Sequence, residues 1–309
     1  MRRLPRRSRG AAADAAPIAR VEATTERGWP RRIGTFVAFA ALGLLVWEAL
    51  KFVGGDPWRT ETWTWDPPLR IWFATDLQLP HVWDIVGALA NPVQRNQEAS
   101  LAQFLVGAAA YTWREAAIGF VAGAIIGIVL AAIFVHSRLL ERALVPYVIA
   151  SQTIPIVALA PMIVFAFGQD VASVVIIATY LTFFPVTIAM IRGLRSPDPR
   201  AMELMRSYAA SRRAIFWKLR LPASLPYLFT ALKISATASI VGAIVGEGPG
   251  GIPDGLGRAI INFNNQYISG PEKLWAAILA SAVLGIVFFG LVWLAELAVL
   301  RGRAAPAAS

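Results

Sequence analysis

The sequence predicts an all-α integral membrane protein with six transmembrane helices. Of its 309 residues, 57% are hydrophobic and 16% are charged, whereas soluble domains have about 25% charged residues. The apolar residues are grouped in runs of about 20, which is the length that an α-helix needs to cross a bilayer. Most basic residues lie outside these runs. We therefore expect helices buried in lipid, joined by charged segments that remain in water.

The distribution of basic residues predicts the orientation of the chain. The net charge is +10, but nine of the 29 Lys and Arg residues lie in residues 1–32 and eight lie in residues 192–226. Cytoplasmic segments of membrane proteins carry an excess of Lys and Arg. With six spans, both termini are cytoplasmic, and 21 basic residues face the cytoplasm against 5 outside. Anionic lipid explains this charge better than nucleic acid does, because no basic domain with interleaved aromatic residues is present.

Few residues could support catalysis or metal binding. The chain has no cysteine, and its two histidines, His81 and His136, are far apart in the sequence. We expect no metal site and no catalytic group. A membrane-embedded enzyme would need clusters of ionisable residues within its spans. The acidic residues in the apolar runs lie near predicted span ends: Glu48, Glu115, Glu247 and Glu296.

The first part of the chain is expected to be a tail, a span and an external segment. Residues 1–32 are rich in Arg, Ala and Pro without an apolar period, which predicts a disordered cytoplasmic tail. A targeting peptide is the alternative, but the apolar run 33–53 is too long and lacks a small-residue cleavage site. Residues 54–100 are rich in Trp and Pro. They are expected to lie outside at the membrane interface, although an aromatic ligand-binding box is an alternative.

The second and third spans carry specific packing signals. Four glycines at multiples of four residues lie on one face of the span 101–135, which predicts close packing there of a helix from the same or a partner subunit. They are Gly107, Gly119, Gly123 and Gly127. A short cytoplasmic turn is expected at residues 136–142. The third span, 144–167, contains three prolines and a polar pair, Gln152 and Thr153, which predicts a broken helix that lines a cavity; a kinked packing helix is the alternative.

Three further spans complete the expected domain, which extends over residues 33–303. They are predicted at residues 171–191, about 227–246 and 274–300, with external segments at 168–170 and 247–273. Residues 304–309 form a short C-terminal tail.

The central loop, residues 192–226, separates the fourth and fifth spans. We predict a helix at residues 201–207, with Glu203 in its first turn, where a carboxylate complements the helix N-terminus. Small residues then permit a close bend before a second, amphipathic helix at residues 212–221, which Pro222 ends. Short helices joined rigidly to two spans suit docking of a soluble partner; an ordinary loop is the alternative.

The central loop resembles the EAA loop of the permeases of binding-protein-dependent ABC importers. That loop reads Glu-Ala-Ala-x-x-x-Gly, then nine residues, then Ile-x-Leu-Pro. Glu203 and Leu221-Pro222 match it at the correct spacing, while Leu204-Met205 replaces the Ala pair and Ala209 replaces the Gly. Further matching stretches are similar to the nitrate, sulfonate and taurine branch: Ile154-Pro155, Ala158 to Pro161, Phe183 to Pro185, Gly193 to Ser196, Leu225-Pro226 and Gly255 to Gly257.

The resemblance implies a permease with the type I importer (MetI-like) fold in the bacterial cytoplasmic (inner) membrane. Its partners would be a second permease copy in a homodimer, two ABC ATPase subunits and an extracytoplasmic solute-binding protein. The ATPase subunits would bind ATP and Mg, and this chain would bind no cofactor. The solute would be small and anionic or polar, such as nitrate, a sulfonate or taurine. A pyrimidine or vitamin precursor is an alternative, as is a different class, a secondary transporter or channel.

The resemblance also assigns roles to residues. ATPase coupling is assigned to Glu203, Arg206, Ala209, Ala210, Ser211, Leu219, Leu221 and Pro222. A separate hypothesis places residues of the third to fifth spans along the translocation pathway: Gln152, Thr153, Pro155, Pro161, Thr179, Tyr180, Thr182, Phe183, Phe184, Ser235 and Ser239.

Overall fold

The structure, a computed structural model, describes residues 29–59, 64–94, 99–248, 252 and 254–300. The chain divides into two compact units, residues 1–82 and residues 83–309. The expected C-terminal tail lies outside the described residues, as do residues 1–28 of the expected N-terminal tail. The last four residues of that expected tail, 29–32, instead begin the first helix.

The first unit contains a long helix followed by a short hairpin. Helix α1 extends over Trp29–Gly54. The strands β1 (Trp58–Arg59) and β2 (Thr64–Trp65) pair antiparallel, with Trp58 opposite Trp65. The ring of Trp65 stacks on Phe52 of α1 at a centroid distance of 4.5 Å. The hairpin therefore packs against the C-terminal end of α1.

Charged side chains near the end of α1 bind the segment that follows the hairpin. Lys51 is fully buried; it forms an ion pair with Asp76 and donates to the carbonyl of Leu79 at 2.6 Å. Glu48 lies 2.8 Å from Nδ1 of His81. A buried lysine is unfavourable unless it is paired. These contacts therefore explain how the Trp-rich segment folds back onto the last turns of α1.

The named elements of the second unit are all helices or helical turns, and an isolated β-bridge joins Pro92 and Ser100 in the segment before the long helix. A short helix, α2, begins at the boundary of the units, and the remaining elements follow in chain order. They are α2 (Val82–Ala88), α3 (Leu101–His136), α4 (Arg138–Ser151), α5 (Ile156–Phe167), α6 (Val171–Leu194), α7 (Pro199–Ser207), α8 (Arg212–Ile215), a π-turn (Phe216–Arg220), α9 (Leu221–Glu247), α10 (Leu256–Asn265), a 3-10 turn (Tyr267–Ser269) and α11 (Pro271–Leu300).

The all-helical membrane architecture is confirmed. Among the described residues, five helices are long and apolar enough to cross a membrane. They are α1, α3, α6, the continuous helix from α8 to α9, and α11. The pair α4 and α5 adds a sixth span if it crosses as one bent element. The number six and the cytoplasmic location of both termini stay predictions.

The core of the second unit forms where α3, α6 and α9 pack together. A Cβ atom added to Gly123 would lie 2.6 Å from Cβ of Thr182 and 2.7 Å from the carbonyl oxygen of Thr179. Gly119 and Gly127 approach α6 in the same way. The prediction of a glycine face that packs on a helix is therefore confirmed for these three. At Gly107 an added Cβ would meet nothing within 4 Å in this chain, so packing there against a partner subunit stays a prediction.

The third predicted span is broken, as the prolines indicated. The axes of α4 and α5 differ by 99°. Pro146 and Pro161 lie inside their helices, and only Pro155 stands at the break, with an extended backbone before α5. The residue before a proline avoids helical geometry. Ile154 is in that position, which explains why the chain breaks here.

The expectation of a turn over residues 136–142 is wrong, and its cytoplasmic location stays a prediction. Helix α3 continues to His136, and α4 begins at Arg138. The hydroxyl of Ser137 accepts from the backbone N–H of Leu140 and caps α4. Serine is a favoured N-cap residue. A one-residue break with its own cap therefore replaces a loop.

Candidate functional site

Helix α7 is an exposed helix at the centre of the loop between α6 and α9. The carboxylate of Asp198 accepts from the N–H of Arg200 at 2.7 Å, and Pro199 occupies the first helical position, where its missing N–H costs nothing. The helix therefore begins two residues earlier than predicted. The placement of Glu203 in the first turn is wrong for the same reason, because it now lies in the middle of the helix.

The exposed surface of α7 combines charged and apolar groups. Glu203 and Arg206 are exposed. Leu204 and Tyr208 are also exposed, to 58% and 78%. The sequence analysis did not assign this apolar pair, although its spacing of four residues places both side chains on one helix face. A mixed apolar and charged face of this kind suits contact with another protein.

Helix α7 ends in a tight turn at Ala209. This residue has φ of 50°, and it is the one non-glycine residue with positive φ in the described part of the chain. The N–H of Ala209 donates to the carbonyl of Arg206, and the N–H of Ala210 donates to that of Met205, at 2.9 and 3.0 Å. This is the hydrogen-bonding pattern of a Schellman turn, in which glycine normally occupies the left-handed position. The predicted bend is thus present, with Ala in the place of the family's Gly.

The segment after the turn is fixed to the helix bundle. The hydroxyl of Ser211 accepts from the N–H of Ala214 and caps α8. The π-turn follows, in which the N–H of Leu221 donates to the carbonyl of Phe216. Phe216 and Leu221 pack against buried side chains of α3 and α6, including Phe134. The second half of the central loop therefore belongs to the packed bundle.

The expectation that Pro222 ends the second helix is wrong. The chain is helical without interruption from Arg212 to Glu247, and Pro222 lies in the first turn of α9. A proline ring clashes with the carbonyl four residues earlier in a regular helix. That carbonyl belongs to Lys218, which lies inside the wider π-turn. The π-turn thus accommodates the proline, and the fifth predicted span begins about four turns earlier than expected.

The eight residues assigned to coupling lie close along the chain but differ in exposure. Glu203, Arg206, Ala209 and Ser211 are exposed, whereas Ala210, Leu219, Leu221 and Pro222 are half-buried. The first four are thus open to a partner, and the others help to position the segment.

The residues assigned to the pathway divide into two groups. Near the helix break, Thr153, Pro155 and Pro161 are exposed, and Gln152 and Tyr180 are half-buried. The hydroxyl of Tyr180 donates to the carbonyl of Ser151, which ties α6 to the end of α4. Phe183 and Phe184 of α6 are half-buried.

The other pathway residues lie between packed helices. The side chains of Thr182, Ser235 and Ser239 are fully buried within this chain. Ser235 of α9 donates to the carbonyl of Thr182 at 3.3 Å. Thr179 donates to the carbonyl of Gly119, also at 3.3 Å. The structure does not bring the three buried side chains to any surface.

A polar contact near the end of α9 was missed by the sequence analysis. The carboxylate of Glu247, which is fully buried, accepts from the N–H of Gly257 at 2.6 Å. The hydroxyl of Thr112 accepts from the N–H of Leu256 at 2.9 Å. These two bonds attach the N-terminus of α10 to α9 and α3. In the sequence, the Gly255 to Gly257 stretch is the feature that could have indicated this contact. Gly255 has φ of 99° and lies against the carboxylate of Glu247.

The fold and site define a helical membrane protein with an exposed helix between two packed spans. Residues 123–299 match the family of binding-protein-dependent transport system inner membrane components. The chain belongs to this family.

Three relatives show the range of its similarity. The formylaminopyrimidine transport permease protein ThiX of Halalkalibacterium halodurans is 36% identical over 57% of this chain and 69% of the relative. The putative aliphatic sulfonates transport permease protein SsuC of Bacillus subtilis is 28% identical over 72% of this chain and 83% of the relative. The nitrate import permease protein NrtB of Leptolyngbya laminosa is 28% identical over 69% of this chain and 70% of the relative.

The comparisons confirm the resemblance seen in the central loop. The chain is a permease subunit of an ABC importer and a multi-pass protein of the bacterial inner membrane. These relatives are transport permeases and not enzymes. Membership of the family implies an ATPase and a solute-binding protein as partners.

Proposed function

We propose that this permease forms a solute pathway that an ATPase subunit opens and closes by moving α7. The observation that carries this proposal is the attachment of an exposed helix at both ends to packed spans. At one end, α7 follows α6 after four residues; at the other, the turn at Ala209 leads into the continuous helix of α8 and α9. A displacement of α7 would therefore move the bundle instead of being absorbed by a flexible loop.

The proposed assembly contains two permease copies, two ATPase subunits and an external binding protein. ATP and Mg would be bound by the ATPase subunits. The family description supports the binding protein. Copurification of an untagged ATPase with the tagged permease distinguishes this assembly from a secondary transporter or channel, which needs no ATPase.

The charge reversal Glu203→Arg tests the docking role of α7. Glu203 is exposed and has no intramolecular hydrogen bond among the described residues, so the variant should fold normally. We expect solute uptake and ATPase copurification to fall about tenfold or more, because like charges at an interface are strongly unfavourable. The control is Gln169→Arg, which adds a positive charge to an exposed turn away from the central loop. Normal uptake and normal copurification of Glu203→Arg would refute the proposal.

Exposed residues at the α4–α5 break and in α5 are proposed to line the pathway. Because the chain has no cysteine, single cysteines report directly on access of water. We expect Thr153→Cys and Pro161→Cys to react with a water-soluble thiol reagent in at least one nucleotide state. Ser239→Cys is the buried control and should stay unreactive. If neither exposed position reacts in any state, the lining assignment is wrong.

Two classes of solute are supported by different relatives. The sulfonate and nitrate permeases match a larger part of this chain, which supports a small anion. The formylaminopyrimidine permease has the higher identity, which supports a heterocyclic vitamin precursor. A ligand screen on the binding protein that functions with this permease separates them: saturable binding of sulfonates or nitrate supports the first class, and binding of pyrimidines alone supports the second.

A further inference from the structure

A basic cavity lies where α3, α4, the end of α6 and the π-turn meet. Its volume is about 700 Å³. Its charged lining consists of four arginines and one glutamate: Arg138, Glu141, Arg142, Arg195 and Arg220. The charge of the lining is therefore +3. None of these residues lies in the exposed helix α7.

Among the described residues, Arg195 is the one of these four arginines that forms an ion pair, and the carboxylate of Glu141 also attracts Arg138 and Arg142. Arg195 forms an ion pair with Glu141 that closes one side of the cavity. Arg138, Arg142 and Arg220 form no hydrogen bond or ion pair with any of the described residues. One carboxylate, that of Glu141, offsets only part of the charge of four arginines, so a further anion would reduce the repulsion that remains between them. The charge of this lining suits phosphate, which accepts several charge-assisted hydrogen bonds from arginine.

Helix α4 has a second, apolar face next to the cavity. Arg138, Glu141 and Arg142 lie on the face that lines the cavity. Leu139 and Tyr147 lie on the remaining surface and are 78% and 74% exposed. A helix with one charged and one exposed apolar face is typical of the membrane interface. Such a helix offers a basic headgroup site and a surface for acyl chains side by side.

We propose that this cavity binds the phosphate of an anionic phospholipid, whose acyl chains lie along the apolar surface of α4. Basic pockets between membrane helices bind anionic headgroups. A free phosphate ion would use the arginines but not the exposed apolar surface. Acidic groups of a soluble partner would likewise leave Leu139 and Tyr147 without an apolar contact. The combination of the two features on α4 therefore favours a lipid.

The test uses the full-length permease in detergent and measures lipid binding by native mass spectrometry. Phosphatidylglycerol is titrated and compared with phosphatidylcholine, which has no net charge. The variant Arg142→Gln/Arg220→Gln leaves the Glu141–Arg195 pair intact. We expect it to bind phosphatidylglycerol about 25-fold more weakly, about fivefold for each arginine removed. The control, Arg213→Gln, removes an exposed arginine that does not line the cavity and should bind as the wild type does.

Several outcomes would overturn the proposal. Unchanged phosphatidylglycerol binding by the double variant would show that Arg142 and Arg220 do not bind the lipid. Equal binding of phosphatidylcholine would show that charge is irrelevant. Displacement of the lipid by an equal concentration of inorganic phosphate would indicate a free-anion site. Loss of ATPase copurification with unchanged lipid binding would assign the arginines to the protein contact. If the double variant does not fold, Arg138→Gln alone should bind about fivefold more weakly.

Discussion

The packed bundle of α3, α6 and α9 and the exposed helix α7 are held in place by different means. In the bundle, glycines such as Gly123 bring helix backbones into contact, and little space remains for other side chains. Helix α7 buries no residue. Its position depends on its two ends: Asp198 caps its N-terminus, and the turn at Ala209 follows its C-terminus. The bundle should therefore respond to changes of volume, whereas α7 should respond to changes of charge and backbone conformation.

The largest effect on stability is expected from Gly123→Ala. The new Cβ would lie 2.6 Å from Cβ of Thr182 and 2.7 Å from a backbone oxygen, and backbone cannot move aside cheaply. We expect a loss of about 3 kcal/mol in the free energy of unfolding, at the upper end of the usual cost of overpacking. Denaturant unfolding in detergent measures it.

The matched control is Gly107→Ala in the same helix, where an added Cβ meets nothing within 4 Å. This variant should be neutral or slightly more stable, because alanine favours helix over glycine by about 0.8–1.0 kcal/mol. Equal losses for the two variants would show that helix packing is not the reason for glycine in α3.

An intermediate effect is expected from Glu247→Ala. The substitution leaves the N–H of Gly257 without its acceptor in a buried position. We expect a loss of about 2 kcal/mol, which is the usual cost of an unsatisfied buried donor. Glu203→Ala on exposed α7 is the comparison, and its stability should stay within about 0.5 kcal/mol of the wild type. The distinction between the two regions fails if Glu203→Ala destabilises the chain as much as Glu247→Ala does.

The sequence was sufficient to predict those features of the fold that depend on one local property of the chain. Apolar runs located the long helices, and the spacing of Gly119, Gly123 and Gly127 identified the face that packs on α6. Three prolines predicted a broken third span, and the break occurs at one of them, Pro155, because proline restricts the residue before it. In each of these cases, the residues that give the signal are also the residues that cause the structure.

The sequence was not sufficient to predict helix boundaries that depend on capping residues, or contacts between residues far apart in the chain. Ser137 caps α4, so a single residue separates α3 from α4 where a turn of seven residues was expected. Asp198 caps α7, so this helix begins at Pro199 and not at Ala201 as expected. No sequence pattern indicates the π-turn before Pro222. The sequence analysis therefore predicted two helices, at residues 212–221 and about 227–246, where the structure has one continuous helix. The bond between Thr112 and Leu256 joins residues 144 positions apart. No periodicity in the chain reports such a contact.

The smallest effect is expected at the C-terminal turn of α7, where Ala209 has φ of 50°. A non-glycine residue in this conformation costs roughly 1–2 kcal/mol. Ala209→Gly removes that cost but increases the entropy of the unfolded chain, which offsets about 0.4–1 kcal/mol. We therefore expect a net gain of about 0.5 kcal/mol, measured by the same unfolding experiment, with transport retained.

Ala210→Gly is the control for the conformational argument, because Ala210 follows in the chain and has no positive φ. Glycine brings no relief of strain there, so only the entropy of the unfolded chain changes, and stability should fall by about 0.4–1 kcal/mol. Opposite signs for these neighbouring substitutions would show that backbone conformation, and not side-chain contact, holds the turn. A loss of similar size at both positions would mean that the Cβ of Ala209 makes a favourable contact. The position of α7 would then depend on packing, as that of the bundle does.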